Sequence, residues 1–355
     1  MTRRSFLVAA AGFGLAAAVG CRQRATDLGK KEAHMGGDAG SGKDCFRPGE
    51  VWLDTDGRPI QAHGGGVLFD RGTYYWFGEN KEAPTERGFL RRVDVVGVNC
   101  YSSTDLYHWK NEGLVLPAVP DDPDHDLHPD RVVERPKVIH NERTKRYVMW
   151  MHIDTSDYQY ARTGVAVSES PTGPYEYQGS FRPNGADSRD MTVFKDDGGA
   201  AYLLHASEWN KTLHVARLSE DYLKPVGESA RSLVGQEREA PAVFRRADRC
   251  YLITSGCSGW APNAADCAVS DSVMGPWQSQ GNPCIGSAEE VATTFHSQST
   301  FVLPVQGRED AFIFMADRWN PRSLGDSRYV WLPIEFEGDR LALRWRDSWD
   351  LSVFD

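Results

Sequence analysis

Residues 70–77, Asp-Arg-Gly-Thr-Tyr-Tyr-Trp-Phe, join a polar turn to a short strand of aromatic residues. The same order of turn and strand returns four more times along the chain, at 144–150, 197–204, 247–253 and 308–314. Each copy carries a Tyr or Phe in its strand, and consecutive copies lie roughly 50 to 70 residues apart, a spacing typical of propeller blades. The five copies therefore predict five similar units built from strands.

A second motif follows the first in three of these units, where a turn of Ser and Asp or Glu leads to an aromatic residue. It occurs at 101–109, 167–175 and 269–277, and in the last two copies a Gly-Pro pair precedes the aromatic residue. Because these residue types favour tight turns, the motif predicts an outer hairpin. We therefore predict an all-β fold, a five-bladed β-propeller over residues 45–355, with a β-sandwich or two β-domains as the alternative.

Charge and composition limit the partners of the 355-residue chain. The formal net charge is −10, and nucleic-acid binding needs a clustered basic surface, so we expect no nucleic-acid partner. The 11 Trp, 13 Tyr and 15 Phe suit an uncharged polymer such as a glycan, because binding pockets for neutral ligands are rich in aromatic side chains. We expect a monomer that requires no cofactor.

The first 21 residues have the features of an export signal. Thr2-Arg3-Arg4-Ser5-Phe6-Leu7 matches the twin-arginine pattern, and the apolar run that follows is too short for a stable membrane span. Ala18-Val19-Gly20-Cys21 resembles a lipoprotein processing site, so lipid attachment at Cys21 and simple cleavage are both open. Residues 22–44 predict a flexible linker. The predicted location is the periplasm, the membrane surface as a lipoprotein, or the outside of the cell.

Three acids, Glu134, Asp190 and Glu239, each open an apolar run in successive units. A charge entering an inner strand is unfavourable unless it is paired or used, and the inner strands of a propeller surround one channel. The acids are therefore expected to converge, as glycoside hydrolysis requires, and crowding would raise the pKa of at least one of them. Clustered acids could instead bind Ca²⁺, but they lack the spacing of a calcium loop, and no cysteine spacing fits zinc. The sequence supports no metal site.

Other polar and aromatic residues fall at comparable places. His63 precedes three glycines, Glu79 ends the first aromatic strand, and Gln298 stands on the last inner strand, where an acid would be expected. Four aromatic residues follow inner strands and could stack on sugar rings: Tyr158, Trp209, Trp260 and Trp319. Each also has a purely structural alternative: a tight strand entry for His63, a solvated carboxylate for Glu79, a buried hydrogen-bonded pair for Gln298, and core packing for the aromatic residues.

Eight motifs occur in a fixed order along the chain. They are Ala-His-Gly-Gly-Gly (62–66), Tyr-Tyr-Trp-Phe-Gly-Glu (74–79), Glu-Arg-Pro-Lys-Val (134–138), Ser-Arg-Asp-Met-Thr (188–192), Glu-Ala-Pro (239–241), Gly-Trp-Ala-Pro-Asn (259–263), Ser-Gln-Ser-Thr (297–300) and Arg-Tyr-Val-Trp-Leu-Pro (328–333). In this order they resemble the exo-β-1,3-galactanase branch of family 43 glycoside hydrolases, from about residue 50 to the C-terminus.

The resemblance implies a five-bladed propeller that hydrolyses β-1,3-galactan, such as the backbone of arabinogalactan, from its non-reducing end with inversion. By position, Glu239 matches the general acid and Glu134 a further essential glutamate. Gln298 matches a glutamine proposed to act as the base through its imidic-acid tautomer, because His63 stands where most of the family has an Asp base. The candidate substrate-binding residues are Asp190, Tyr158, Glu79, His63, Asn210, Ser258 and Trp260.

Several points stay open at this stage. The base could be Gln298 or Glu134. If Gln298 is the base, a water molecule must fit between it and the acid, which places the Glu239 and Gln298 side chains about 6–10 Å apart. Other activities of the family are α-L-arabinofuranosidase, β-galactofuranosidase and β-xylosidase. The absent carboxylate in the first unit also allows a glycan-binding propeller without catalysis.

Overall fold

Antiparallel β-sheets account for nearly all of the regular structure in the described residues. The computed structural model describes residues 44–86 and 91–355, so the predicted leader (1–21) and all but the last residue of the predicted linker (22–44) lie outside the described residues. The unit from Asp44 to Asp355 contains five sheets. No helix in the described part of the chain has the length and apolar character that a membrane crossing needs.

The first three sheets have four strands each, paired in chain order. Blade 1 contains β1 (His63–Asp70), β2 (Thr73–Glu79), β3 (Gly97–Ser103) and β4 (Lys110–Pro117). Blade 2 contains β5 (Arg131–Asn141), β6 (Arg146–Thr155), β7 (Arg162–Ser168) and β8 (Glu176–Phe181). Blade 3 contains β9 (Met191–Lys195), β10 (Ala201–Ser207), β11 (Thr212–Leu218) and β12 (Pro225–Ser232).

Blade 4 also has four strands in chain order, and only blade 5 departs from this plan. Blade 4 contains β13 (Arg238–Arg246), β14 (Arg249–Gly256), β15 (Asp266–Ser270) and β16 (Gln278–Ser279). Blade 5 contains β17 (Cys284–Ile285), β18 (Gln298–Pro304), β19 (Phe312–Arg318), β20 (Arg328–Glu337) and β21 (Arg340–Arg344), with β17 added in parallel to β21. The helical segments are α1 (Ala288–Thr293) and the 3₁₀ turns Pro183–Gly185, Leu324–Asp326 and Leu351–Phe354.

The first long strand of each blade lines the centre of the molecule. β1 contacts β5, β5 contacts β9, β9 contacts β13, and β13 contacts β18. β18 in turn contacts β1, which closes the ring. The predicted five-bladed β-propeller is confirmed, and the five repeated motifs prove to be the turns into β2, β6, β10, β14 and β19.

The β5–β6 hairpin illustrates how the repeated motif builds a blade. The Asn141 side chain accepts hydrogen bonds from the amides of Arg143 and Thr144 at 3.0 and 2.9 Å, so a polar turn reverses the chain. Successive side chains of β6 then point to opposite faces of the sheet. Met149 packs with blade 1 and Trp150 with blade 3, because a blade is covered by a neighbour on each side. The core therefore lies between the blades.

Aromatic residues join the last blade to the first. Phe46 pairs with Trp349 through backbone hydrogen bonds of 2.7 and 3.1 Å, and their rings stack at 4.3 Å. Trp76 of blade 1 and Trp331 of blade 5 are buried in the same cluster. Truncating a buried tryptophan of this kind to alanine typically costs about 3–5 kcal/mol, so this cluster is a main element of ring closure.

The cysteines of the described residues contribute as thiols. Cys100, Cys250, Cys267 and Cys284 are buried, Cys45 is partly exposed and Cys257 is exposed. None of these six residues forms a disulfide. Packing between the blades, with hydrogen bonding within each sheet, therefore holds this part of the chain together.

Candidate active site

A bulge recurs at the same level of the inner strands. The strand register breaks after His63 in β1, after Glu134 in β5 and after Glu239 in β13. The residues that follow Glu134 and Glu239 have left-handed backbone, with φ of 58° at Arg135 and 53° at Ala240. Bulges re-aim side chains, and non-glycine residues in this conformation cluster at functional sites. Both carboxylates are thereby turned toward the mouth of the channel.

A carboxylate from the preceding blade holds each of these bulges. In each case the backbone N–H of the left-handed residue donates to the neighbouring acid. The pairs are Arg135 to Glu79 at 3.0 Å, Ala240 to Asp190 at 3.0 Å, and Gly64 to Asp317 at 2.7 Å. These bonds fix the position of one blade relative to the next at the depth where the site lies.

The channel mouth opens into a cavity of about 550 Å³, here called the catalytic cavity. Nine of the ten residues predicted for the site line it: Glu79, Glu134, Tyr158, Asp190, Asn210, Glu239, Ser258, Trp260 and Gln298. The predicted convergence is therefore confirmed. Further lining residues are Lys81, Arg135, His152, Arg189, Trp209, Cys257, Gly259 and Trp319.

Glu134 lies in a network that favours its ionised form. Its carboxylate accepts a hydrogen bond from the Tyr158 hydroxyl at 2.9 Å and lies 3.2 Å from Nδ1 of His152. Nε2 of His152 is 2.9 Å from Asp154. Burial opposes charge on His152, but the two flanking carboxylates raise its pKa to about 9. Burial alone would raise the pKa of Glu134, yet His152 and the nearby Lys81 charge lower it to about 2.

Glu239 has the opposite character. Its carboxyl oxygens accept hydrogen bonds from Asn210 Nδ2 at 2.9 Å and Gln298 Nε2 at 3.1 Å. Desolvation and the charge of Asp190 raise the pKa of Glu239 to about 8, with Arg135 acting in the other direction. At neutral pH Glu239 is therefore mostly a carboxylic acid, which is the form that can donate a proton.

The Gln298 amide is hydrogen-bonded on both sides. Its oxygen accepts from Arg135 Nη2 at 2.7 Å and Trp319 Nε1 at 2.9 Å, and its nitrogen donates to Glu239 and to Ser255 Oγ at 3.0 Å. The predicted separation of about 6–10 Å between Gln298 and Glu239 is wrong, because the two side chains bond directly at 3.1 Å. With two bonds at each end, the side chain is held as an ordinary amide.

The sequence prediction missed the buried cations that line the cavity, Arg135 and Lys81 among them. Arg135 joins Gln298, Asp190 at 2.9 Å and the carbonyl of Ser299 at 2.8 Å. Lys81 forms an ion pair with Glu79 at 2.5 Å, and its ammonium lies 5.6 Å from the ring centres of Trp260 and Trp319. Each cation lies within two residues of a predicted acid, in Glu134-Arg135 and in Glu79-Asn80-Lys81, and this proximity in sequence was the available signal.

His63 is the one predicted site residue that the structure does not bring to the cavity. It is fully buried, with Nδ1 3.2 Å from Asp317 and its ring stacked 5.1 Å from Tyr329. The contact with Asp317 and the stacking on Tyr329 hold the imidazole inside the molecule, away from the residues that line the cavity. Its neighbourhood positions β1 and the bulge at Gly64.

One group in the described residues could supply three ligand atoms to a metal ion. The ligand atoms of Glu134, His152 and Asp190 lie within 4.8 Å of one another. Both ring nitrogens of His152 face carboxylates, and a protonated imidazole has no lone pair for a metal. Asp190 is already paired with Arg135. These residues therefore fit an ion-pair network better than a metal site.

Comparison with known proteins agrees with this fold. The model of glycosyl hydrolases family 43 matches residues 66–333. A family 43 β-1,3-galactosidase of known structure is 41% identical, with a TM-score of 0.81, and the match covers 87% of this chain and 64% of that protein. A second one, with galactodeoxynojirimycin, is 40% identical, with a TM-score of 0.80 and coverage of 86% and 100%.

A fungal relative belongs to the same group. The exo-β-1,3-galactanase of Phanerochaete chrysosporium, in a variant with β-1,3-galactotriose, is 37% identical, with a TM-score of 0.79 and coverage of 87% of this chain and 68% of that one. No curated protein matches the chain. The chain spans less than two thirds of the first of these structures.

The propeller and the match to the family model together define the class of protein to which the chain belongs. The chain belongs to family 43 of the glycosyl hydrolases, and the resemblance to its β-1,3-galactan-cleaving members is confirmed at 37–41% identity.

Proposed function

We propose that the protein removes galactose from the non-reducing end of β-1,3-linked galactan, with inversion at the anomeric carbon. The observation that carries the proposal is the contrast between two carboxyl groups in one cavity: Glu134 lies 3.2 Å from the His152 imidazole, whereas Glu239 is bonded to the neutral amides of Asn210 and Gln298. These surroundings shift the two pKa values in opposite directions. An environment that separates the pKa values of two carboxyl groups assigns one as acid and the other as base. The choice of substrate rests on the relatives, which are named as β-1,3-galactosidases and an exo-β-1,3-galactanase.

In this proposal Glu239 donates its proton to the oxygen of the leaving sugar as the glycosidic bond breaks. Water attacks the opposite face of the ring, and the Glu134 carboxylate accepts its proton. Gln298 holds the acid, because its N–H donates to Glu239 while Arg135 and Trp319 fix its oxygen. An amide that donates both N–H groups has no nitrogen lone pair to accept a proton, so the base role passes to Glu134.

The test is the product profile on β-1,3-galactan and on branched arabinogalactan, followed by chromatography over time. We expect galactose as the product from the first time points, and the α-anomer to form first in a proton NMR time course. Cleavage of a chromogenic α-L-arabinofuranoside with β-1,3-galactobiose untouched would replace the galactanase proposal by another family activity. Galactan binding without any product would favour a non-catalytic propeller.

We also propose export by the twin-arginine route, with a lipid anchor at Cys21. The support is the Thr2–Leu7 pattern and the residues before Cys21. Replacing Arg3 and Arg4 by Lys should retain the protein in the cytoplasm. Labelled palmitate should enter the full-length chain and be lost in Cys21→Ala. An unlabelled, fully exported chain would support simple cleavage instead.

A further inference from the structure

The turn between β10 and β11 presents an exposed aromatic ring at the rim of the catalytic cavity. Trp209 is 60% exposed, and it is the only aromatic residue among the large exposed hydrophobic residues of the described chain. The Arg189 guanidinium covers one face of the indole at 4.4 Å. Arg189 is itself paired with Asp187 and donates to the carbonyl of Tyr158 at 3.1 Å. The ring is therefore held in place with its other face free.

The backbone of this turn is strained and firmly held. Glu208, Trp209 and Asn210 are consecutive left-handed residues, with φ of 55°, 59° and 60°. The Asp187 carboxylate accepts from Ser207 Oγ and Glu208 N, both at 2.8 Å, and from Trp209 N at 3.2 Å. Strain of this kind persists where surrounding bonds over-determine the conformation, as they do at ligand-binding sites.

The turn also connects the ring to the proposed acid. Asn210 follows Trp209 directly and donates to the Glu239 carboxyl at 2.9 Å. The acid must stand beside the oxygen of the leaving sugar, so this rim of the cavity is on the leaving-group side. Trp209 and Arg189 line the catalytic cavity and also a second groove.

The second groove, here called the side groove, has a volume of about 510 Å³. Its lining is polar and supplies both donors and acceptors: Gln159, Arg182, Gly185, Ala186, Asp187, Arg189, Ser207, Glu208, Trp209 and His214. The exposed Arg182 makes its hydrogen bonds to the backbone carbonyls of Gln159 and Tyr160, and no carboxylate of the described residues forms an ion pair with it. Such a surface suits sugar hydroxyl groups.

We propose that Trp209 is the stacking platform for the second sugar unit of the leaving group, and that the side groove receives the units that follow. The inference rests on the proposed function, because it takes Glu239 as the acid. Asn210 then serves the first leaving unit, Trp209 the second, and the glycan passes over the rim between the catalytic cavity and the side groove. A ring that is already fixed binds a sugar face with little loss of side-chain entropy.

The test compares kcat/KM on β-1,3-galactobiose, -triose and -pentaose for the wild type and three variants. Trp209→Ala should lower kcat/KM on the triose and pentaose roughly tenfold, mainly through KM, and leave the biose within about twofold. Trp209→Phe keeps a ring and should retain most of the preference for longer chains. Val234→Ala, at an exposed apolar residue that lines neither cavity, is the matched control.

The outcomes separate this inference from the function beneath it. If the wild type cleaves all three substrates and Trp209→Ala leaves their ratios unchanged, the platform is wrong and the proposed function stands. An equal loss on all three, biose included, also overturns the assignment of the second unit. If the wild type cleaves none of them, both proposals fall.

Discussion

On two sides of the catalytic cavity, a carboxyl group stands at a β-bulge, but the two carboxyl groups differ in charge. Glu134 on β5 and Glu239 on β13 each precede a left-handed residue at a bulge. Burial raises the pKa of Glu239 to about 8. It acts on Glu134 in the same direction, but the hydrogen bond and charge of His152 outweigh it and hold that pKa near 2.

The difference shows that neighbouring charges, more than burial, determine which of Glu134 and Glu239 is ionised. Glu134 faces a histidine that is itself protonated because Asp154 lies behind it at 2.9 Å. Glu239 faces Asp190, whose negative charge opposes ionisation. A proton donor and a proton acceptor therefore arise from two copies of one strand motif.

Removing the acid should have the largest effect. Glu239→Gln keeps the shape of the side chain and one acceptor oxygen for Asn210 or Gln298, but it has no proton to give. Turnover of β-1,3-galactobiose should therefore fall at least 100-fold, in the range of about 10²–10⁴ for general acid catalysis. An aryl galactoside with an acidic phenol needs less protonation and should lose much less. Steady-state kinetics on both substrates check the prediction.

The matched control for the acid is Glu237→Gln, two residues earlier and with an exposed side chain. It should turn over both substrates like the wild type. Near-normal cleavage of galactobiose by Glu239→Gln would remove Glu239 from the acid role.

Removing the other carboxylate should cost about 100-fold, with a different signature. Glu134→Gln impairs the attack of water, so both the aryl galactoside and galactobiose should lose turnover alike. Azide needs no base, so sodium azide should restore cleavage of the aryl substrate and yield an α-galactosyl azide. Failure of azide to rescue Glu134→Gln, with rescue seen in Glu239→Gln instead, would exchange the two roles.

Much of the fold was accessible from the sequence because it is a repeat. Each blade repeats a polar turn and an aromatic strand. Both faces of a blade are covered by neighbouring blades, so nearly every residue of a strand such as β6 is buried and most are apolar. The extra strand β17 and the short helix α1 carry no such repeat. β17 has only two residues and pairs with the distant strand β21, and α1 is a single short helix that contacts β17.

The sequence identified most of the residues that form the site, but it did not predict the distances between them. A charged residue at the start of an apolar run must form an ion pair or serve a function, and this rule identified Glu134, Asp190 and Glu239. It gives no distances, so the direct bond between Gln298 and Glu239 was missed. His63 was misplaced for a similar reason, since its partner Asp317 lies 254 residues away.

Gln298 tests which side of the cavity this residue serves. Gln298→Ala removes one hydrogen bond to the acid and should lower turnover roughly tenfold. Gln298→Glu places a second carboxylate against Glu239, and repulsion between the two raises the pKa of the pair. This variant should therefore be no more active than Gln298→Ala. Substantial activity in Gln298→Glu, with a shifted pH profile, would instead make position 298 the base. Kinetics of both variants across pH decide.

The smallest expected effect is a shift in the pH at which kcat/KM falls as Glu239 loses its proton. Glu239 must be protonated, so kcat/KM should be high below pH 8 and fall as pH rises through about 8. Asp190→Asn removes a charge that raises the pKa of Glu239, so the fall should move to lower pH. Cys257→Ala removes a thiol hydrogen bond that lowers that pKa, so the fall should move to higher pH.

Because Glu239 is already mostly protonated at pH 7, the readout is the position of the fall in a kcat/KM profile, not the maximal rate. Movement of the two variants in the same direction would show that the fall reports a group other than Glu239.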